Sequence, residues 1–162
     1  MTDIQFAYKK YHLFDEKYLD NKFSVDYLFI NPRLGVNHQI SQRLNIFVSI
    51  SRTSREPRLK NLYDASEAST PASWGAVLPQ FAINPDGSYN YSKPLVRPES
   101  LTDLEFGIGY KTASSAFNLH FYYMDFQDEI IKKGQLDRFG QPVTGNAEKT
   151  LHQGMELQLR HS

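Results

Sequence analysis

The sequence predicts an all-β fold, an antiparallel up-and-down meander of about six strands forming an open part of a transmembrane β-barrel. Three observations lead there. Apolar residues recur with period two in a series of runs, the mark of strands with one greasy and one wet face. Short turns at 41–43 and 113–115 alternate with long connections at 12–22, 54–98 and 134–150, as in barrels whose two rims differ. The wet positions also hold Asp103, Glu105, Gly107, Gly109, Glu156 and Arg160. An unpaired polar group costs roughly 2–7 kcal/mol in a dry core, and nothing comparable beside a watery lumen.

The first strand is expected near residues 3–13, where Ile4, Phe6 and Tyr8 alternate with Gln5, Ala7 and Lys9. A polar loop, His12–Lys22, follows. Phe23–Ile40 forms the second strand, with Leu28, Ile30, Leu34, Val36 and Ile40 on one parity. Pro32 inside this run lacks the N–H a ladder needs, which implies a bulge or an edge there. Ser41-Gln42-Arg43 turns the chain into the third strand, Leu44–Thr53, whose Leu44, Ile46, Val48 and Ile50 are apolar. Phe47 is the exception on its wet side. The connection Ser54–Pro98 holds six of the eight prolines and the turn signal Asn84-Pro85-Asp86-Gly87. It reads as loop, with one or two helical turns allowed in Arg58–Ala68. A loop of this length is rare in a compact domain and counts either against the assignment or for a functional loop.

Strand four, Glu99–Thr112, sets Leu104, Phe106, Ile108 and Tyr110 against Asp103, Glu105, Gly107 and Gly109. After the turn, strand five spans Ala116–Lys133. A loop is expected over Gly134–Thr150, and strand six from Leu151, with Met155, Leu157 and Leu159 apolar. Each strand should pair with its neighbour in sequence.

Composition removes several functions. Lys+Arg and Asp+Glu both number 18, so formal net charge is zero, and the basic stripe that nucleic acid requires is missing. There is no cysteine, hence no disulfide framework and no thiolate metal site. Mean hydropathy is −0.52 and no apolar run approaches the roughly 20 residues of a membrane helix. Barrel strands escape that test because they alternate. Met1-Thr2-Asp3-Ile4 has no basic and apolar leader, so the expectation is a cytosolic protein or a chain whose true N-terminus lies elsewhere. Neither a nucleophile–base constellation nor a phosphate-cradling glycine loop is present. The chain is expected not to be an enzyme, with no catalytic residue and no cofactor.

Five segments carry a resemblance. They are Asn31-Pro32-Arg33-Leu34-Gly35-Val36-Asn37; Ser49–Tyr63 (SISRTSREPRLKNLY); Arg97-Pro98-Glu99-Ser100-Leu101 with Glu105 and Gly107; Phe121–Ile130 (FYYMDFQDEI); and Gly145-Asn146 followed by His152–Leu157 (HQGMEL). In this order they resemble the barrel of a TonB-dependent outer-membrane receptor, from about residue 23 onward. The family's pattern also includes a plug domain, a TonB-binding box, a signal peptide and a closing C-terminal strand, which these residues do not match. The resemblance therefore implies one partial barrel domain over 1–162, from the C-terminal half of a receptor. It implies a bacterial outer-membrane location and active import of a scarce nutrient such as a ferric siderophore or other metal chelate. The implied partners are that ligand, outer-membrane lipid, and the TonB complex through an absent N-terminal region. A passive porin-like channel is the alternative, and a soluble all-β binding module, which would need a second sheet over its apolar face, is another.

Candidate sites follow from position. Arg52, Arg55, Arg58 and Tyr63 lie where strand three enters its loop. They are candidate ligand- or rim-contacting residues, since guanidinium forks match phosphate or carboxylate and equally bond a loop over a rim. Asp103, Glu105, Glu156 and Arg160 are candidate lumen-facing residues, with pairing of the glutamates to arginines such as Arg160 or contact with a plug as the open choices. Tyr8, Tyr110 and Tyr123 suit interfacial aromatic girdles. Asp125, Asp128 and Glu129 read as a solvated strand end or a ligand contact. The five histidines share no metal-ligand spacing, so no metal site is expected.

Overall fold

Leu44, Ile46, Val48 and Ile50 lie directly opposite Tyr110, Ile108, Phe106 and Leu104, which in turn lie opposite Phe117, Leu119, Phe121 and Tyr123. This register puts every apolar parity on one side. A computed structural model of the chain describes residues 1–16, 22–63, 80–136 and 142–161. Its main body is a six-stranded antiparallel sheet: β1 (Thr2–Leu13), β2 (Phe23–Gln39), β3 (Leu44–Arg55), β6 (Glu99–Lys111), β7 (Ser115–Leu136) and β8 (Pro142–His161), in that spatial order. Each strand pairs with its neighbour in the meander, as the alternation predicts. Between β3 and β6 lie α1 (Leu59–Leu62) and a separate hairpin of β4 (Phe81–Ile83) and β5 (Tyr89–Pro94). No helix among the described residues is long and apolar enough to cross a membrane, which does not bear on strands.

The apolar face is bare. Phe6, Leu28 and Leu159 are 70%, 69% and 69% exposed, and among the described residues no second sheet covers them. A soluble sandwich would pack this face, which the described residues leave uncovered. Instead the face is a continuous band bounded by polar residues of the same parity. Going toward the long-loop end, Tyr8 is followed by Lys10, Ile50 by Arg52, Leu104 by Thr102 and Tyr123 by Asp125.

Beyond that boundary the polarity of β1 and β2 inverts. Tyr11, Leu13, Phe23 and Val25 belong to the opposite parity, yet they are apolar. They are covered from the 54–98 segment. Phe23, Val25, Leu62, Tyr63 and Phe81 form the buried cluster, with Tyr11, Leu13, Tyr27, Tyr89 and Tyr91 packed on it. Phe81 stands 5.0 Å from Phe23 and 5.1 Å from Tyr91, ring to ring. The core thus sits at the long-loop end, under a folded-back connection.

Two expectations, both of loops, are corrected, and two more are met in one of their alternatives. The 54–98 connection is not loop throughout, since β4 and β5 flank the Asn84–Gly87 turn, where Gly87 takes φ +86°. Helix α1 is one turn, Leu59–Leu62, and the remainder of the expected stretch, 64–68, falls outside the described residues. The expected 134–150 loop is mostly strand, because β7 runs to Leu136 and β8 starts at Pro142. Backbone pairing there needs no greasy face, so alternation could not reveal it. Pro32 makes no bulge: it sits opposite Ile4 in unbroken register with β1, one residue beyond the last β2–β3 pair, Arg33↔Ser51. The missing N–H falls where that ladder has ended, and the Ser54 N–H donates to the Asn31 Oδ1 at 2.9 Å in its place.

Phe47, the misplaced aromatic, is explained across the sheet. It lies opposite Gly107, and a Cβ built on that glycine would overlap the Phe47 ring. Tyr122 covers Gly154 in the same way. Flat-lying rings over strand glycines shield backbone that has no side chain of its own.

Candidate functional site

Four stretches distant in sequence meet at the long-loop end of the sheet. Arg55 ends β3 opposite Glu99, and their side chains form an ion pair at 2.7 Å. The second Glu99 carboxylate oxygen accepts the Ile130 N–H at 2.9 Å. Arg97 pairs with Asp128 at 2.7 Å. Asn146 ties the group together: its Oδ1 accepts the Arg97 N–H at 2.8 Å, and its Nδ2 donates to the Arg97 carbonyl at 2.8 Å and the Asp128 carbonyl at 2.6 Å. Asp128 adopts φ 55°, a left-handed conformation that Asp tolerates better than most residues. Exposed ion pairs alone contribute about 0–1 kcal/mol. The bonds to backbone give this rim knot its geometry.

Replacing Asn146 with Ala leaves the Arg97 N–H and two carbonyls without partners. We expect a loss of about 1 kcal/mol of local stability, since water reaches part of the site. Faster native-state proteolysis within 80–98 than in wild type is the measurable sign.

Of the sequence candidates, Arg55 belongs to this knot. Arg52 lies opposite Thr102 on the parity of the apolar band, one step past it. Arg58 precedes α1 and is exposed, its backbone N–H bonded to Asn61 Oδ1 at 2.9 Å. Tyr63 is 3% exposed within the buried cluster. The four therefore do not converge on one ligand position. Sequence reasoning passed over Arg97, Glu99 and Asn146 as site residues, although each lies in a segment that carried the resemblance. Asp128, read as a solvated or ligand-contacting strand end, is bound to Arg97.

The polar face holds a second group. Ser49 donates to Glu105 at 3.0 Å, and the His120 Nε2 stands 3.9 Å from the other Glu105 oxygen. The Phe47 ring packs on His120 at 5.5 Å. Glu156 lies opposite His120 in the register, and Asp103 opposite Ser51. Arg160 lies opposite Ala116 near the short-turn end. Four residues of strand separate it from Glu156, roughly 13 Å. Pairing of Glu105 with Arg160, one of the expected choices, is therefore replaced by contacts with Ser49 and His120. Among the described residues no group of His, Asp and Glu is arranged to hold a metal ion.

Burial pushes the Tyr11 phenol above its ordinary value, with the nearby Glu56 charge adding to the effect. Tyr91 is raised by burial first and by Tyr89 second. Both stay neutral at physiological pH.

A two-faced antiparallel sheet with a bare apolar band, a polar opposite face and a capped long-loop end defines a β-barrel wall. Residues 4–162 match the family model "TonB dependent receptor-like, beta-barrel", and the chain belongs to that family. The fold is similar to that of the FrpB iron transporter from Neisseria meningitidis (TM-score 0.55, 22% identity, 88% of this chain and 18% of that one). It is also similar to the copper transporter OprC (0.60, 16%, 87% and 19%). The siderophore receptor PirA from Pseudomonas aeruginosa matches as well (0.57, 17%, 85% and 26%). The chain thus spans about a fifth to a quarter of the length of these structures. No curated protein sequence matches it.

Proposed function

We propose that the chain forms a sector of the barrel wall of an active-transport receptor in the bacterial outer membrane. The receptor imports a scarce nutrient, a ferric siderophore or another metal chelate, with energy delivered through TonB. The observation that carries this reading is the division of the sheet into one bare apolar face and one polar, tightly bonded face. In that setting the apolar band meets lipid, and Asp103, Glu105, Glu156 and Arg160 face the lumen. Arg52, Arg55, Arg58 and the rim knot then lie at the outer mouth. Similarity to proteins described as iron, copper and siderophore transporters supports a metal-bearing cargo. The contribution of these residues is wall, mouth and lumen surface, without bond chemistry.

The test is uptake of labelled ferric chelates by cells expressing the complete receptor under iron limitation. Accumulation that stops on adding a protonophore, or on deleting TonB, is the expected result. Uptake indifferent to both would make the barrel a passive channel.

A further inference from the structure

The sheet is split at the long-loop end. β2 and β3 pair from Gln39↔Asn45 to Arg33↔Ser51 and then part. Each keeps its other neighbour: β2 stays on β1 up to Leu13↔Phe23, and β3 stays on β6 up to Arg55↔Glu99. The cause is chemical. The Gly35 N–H donates to the Met1 carbonyl at 2.9 Å, and the Met1 nitrogen donates to the Gly35 carbonyl at 2.8 Å. Backbone direction alternates along a strand, so odd-numbered residues of β2 bond toward β1 and even-numbered ones toward β3. Pro32 is even-numbered and has no N–H to offer β3. Just above it, the Asn31 side chain, not the β2 backbone, takes the Ser54 N–H.

Above this fork the even-numbered edge of β2 is open at Ser24, Asp26, Leu28 and Ile30. Among the described residues no backbone hydrogen bond reaches it from the β3 side. The chain between β3 and β6 does not fill the gap, because its Leu62, Tyr63 and Phe81 lie against Phe23 and Val25, on the odd parity. All four edge side chains are exposed. Folded proteins blunt such edges with charge, proline or cover. Here Pro32 stands at the foot, and Asp26 is the only charge above it.

We infer that this edge receives an extended segment of a second polypeptide, added to β2 as a strand. The inference goes beyond the transport reading and uses it only to place the edge at the outer mouth, open to the cell exterior. Backbone N–H and C=O groups recur along the edge every two residues, roughly 6.8 Å apart. Another strand repeats at that spacing, whereas a lipid headgroup or a compact chelate meets a single position. The side chains define the partner further. Its residues on one parity lie beside Leu28 and Ile30 and are apolar. Those on the other parity lie beside Tyr27 and Phe29, whose rings stack at 6.0 Å.

The probe is a synthetic peptide copying Leu44–Arg55, the sequence that already pairs with the even-numbered positions of β2 below the fork. It is added to the complete receptor folded in lipid, and hydrogen exchange is read at single amides. In the free receptor Ser24, Asp26 and Leu28 should exchange far faster than Val25, Tyr27 and Phe29, which bond to β1. Peptide at about ten times its dissociation constant should slow the even-numbered amides about tenfold, because an occupied edge does not exchange. A peptide with proline in place of Val48 and Ile50 lacks the donors that face β2 and should slow nothing. Asp26→Pro/Leu28→Pro in the receptor removes donors of the edge and none of the β1 ladder, as Pro32 does natively, and should abolish the slowing at Ser24. Even-numbered amides already slow in the free receptor would show that the receptor fills its own edge, and would overturn the inference. Slowing that survives the double variant, or no slowing up to the solubility limit of the peptide, would overturn it equally, and each leaves the barrel reading intact. Fast exchange at the odd-numbered and β6–β7 amides as well would remove the barrel reading and this inference together.

Discussion

Leu157→Arg, made in the complete receptor and refolded into lipid, is expected to lower stability by up to about 2–4 kcal/mol, whereas Gln158→Arg should change little. The two residues are adjacent in β8, so their side chains leave the sheet on opposite sides. Leu157 lies opposite Leu119, with Met155 and Leu159 flanking it on the same face, and is 56% exposed. Nothing within the sheet shields it. Gln158 lies opposite Asn118, whose Nδ2 donates to the Gln158 Oε1 at 3.3 Å. An arginine at 157 must leave water for hydrocarbon or bend toward the interface, and the cost falls with its distance from the bilayer midplane. At 158 the guanidinium keeps its water. Denaturant titration of both variants in the same vesicles reads the difference. Equal tolerance would deny β8 a lipid face, and the reverse order would invert the parity of the whole sheet.

The second large effect is expected at the rim. Leu62 is fully buried among Phe23, Val25, Tyr63 and Phe81. Leu→Ala at such a site costs about 2–5 kcal/mol, through lost burial and the cavity left behind. The loss should be local. The Leu62 carbonyl accepts the Gln80 N–H at 2.8 Å, and the Gln80 carbonyl accepts the Leu95 N–H at 2.9 Å, so the cluster also organises the way into and out of the β4–β5 hairpin. In hydrogen exchange, Leu62→Ala should expose the amides of 59–63, 80–83 and 89–95. The β6–β7 amides, paired along Ser100–Lys111, should keep their protection. Equal loosening of both regions would make the cluster part of a global core rather than a cap seated on the wall.

The sheet was legible because period-two patterning carries its own register. Once Ile46, Val48 and Ile50 share a face and the turn at 41–43 is short, the antiparallel partner of each is nearly determined. Elsewhere the pattern failed for physical reasons. Tyr11, Leu13, Phe23 and Val25 break the parity of their own strands because Leu62, Tyr63, Phe81 and Tyr91, far along the chain, cover them, a contact that local alternation cannot show. Phe47 looked misplaced because its partner, Gly107, is on another strand. The first half of β8 is held by backbone pairing without a greasy face, so Gly145–Thr150 offered no rhythm to read. The motif segments were visible, but their purpose was not. Arg97, Glu99, Asp128 and Asn146 look like unrelated polar residues until the fold brings them within hydrogen-bonding distance.

The most direct test of a lipid-facing wall introduces cysteines into these cysteine-free residues, after replacing any cysteine elsewhere in the receptor. Single cysteines introduced one at a time from Phe117 to Tyr123 can each carry a nitroxide in the complete receptor, reconstituted in bilayers. Oxygen, which concentrates in hydrocarbon, should broaden the signals at 117, 119, 121 and 123. A water-soluble nickel chelate should be excluded there, and oxygen access should drop at 118, 120 and 122. Alternation with period two in this phase is the expected result. Uniform accessibility along the strand, or alternation in the opposite phase, would contradict it.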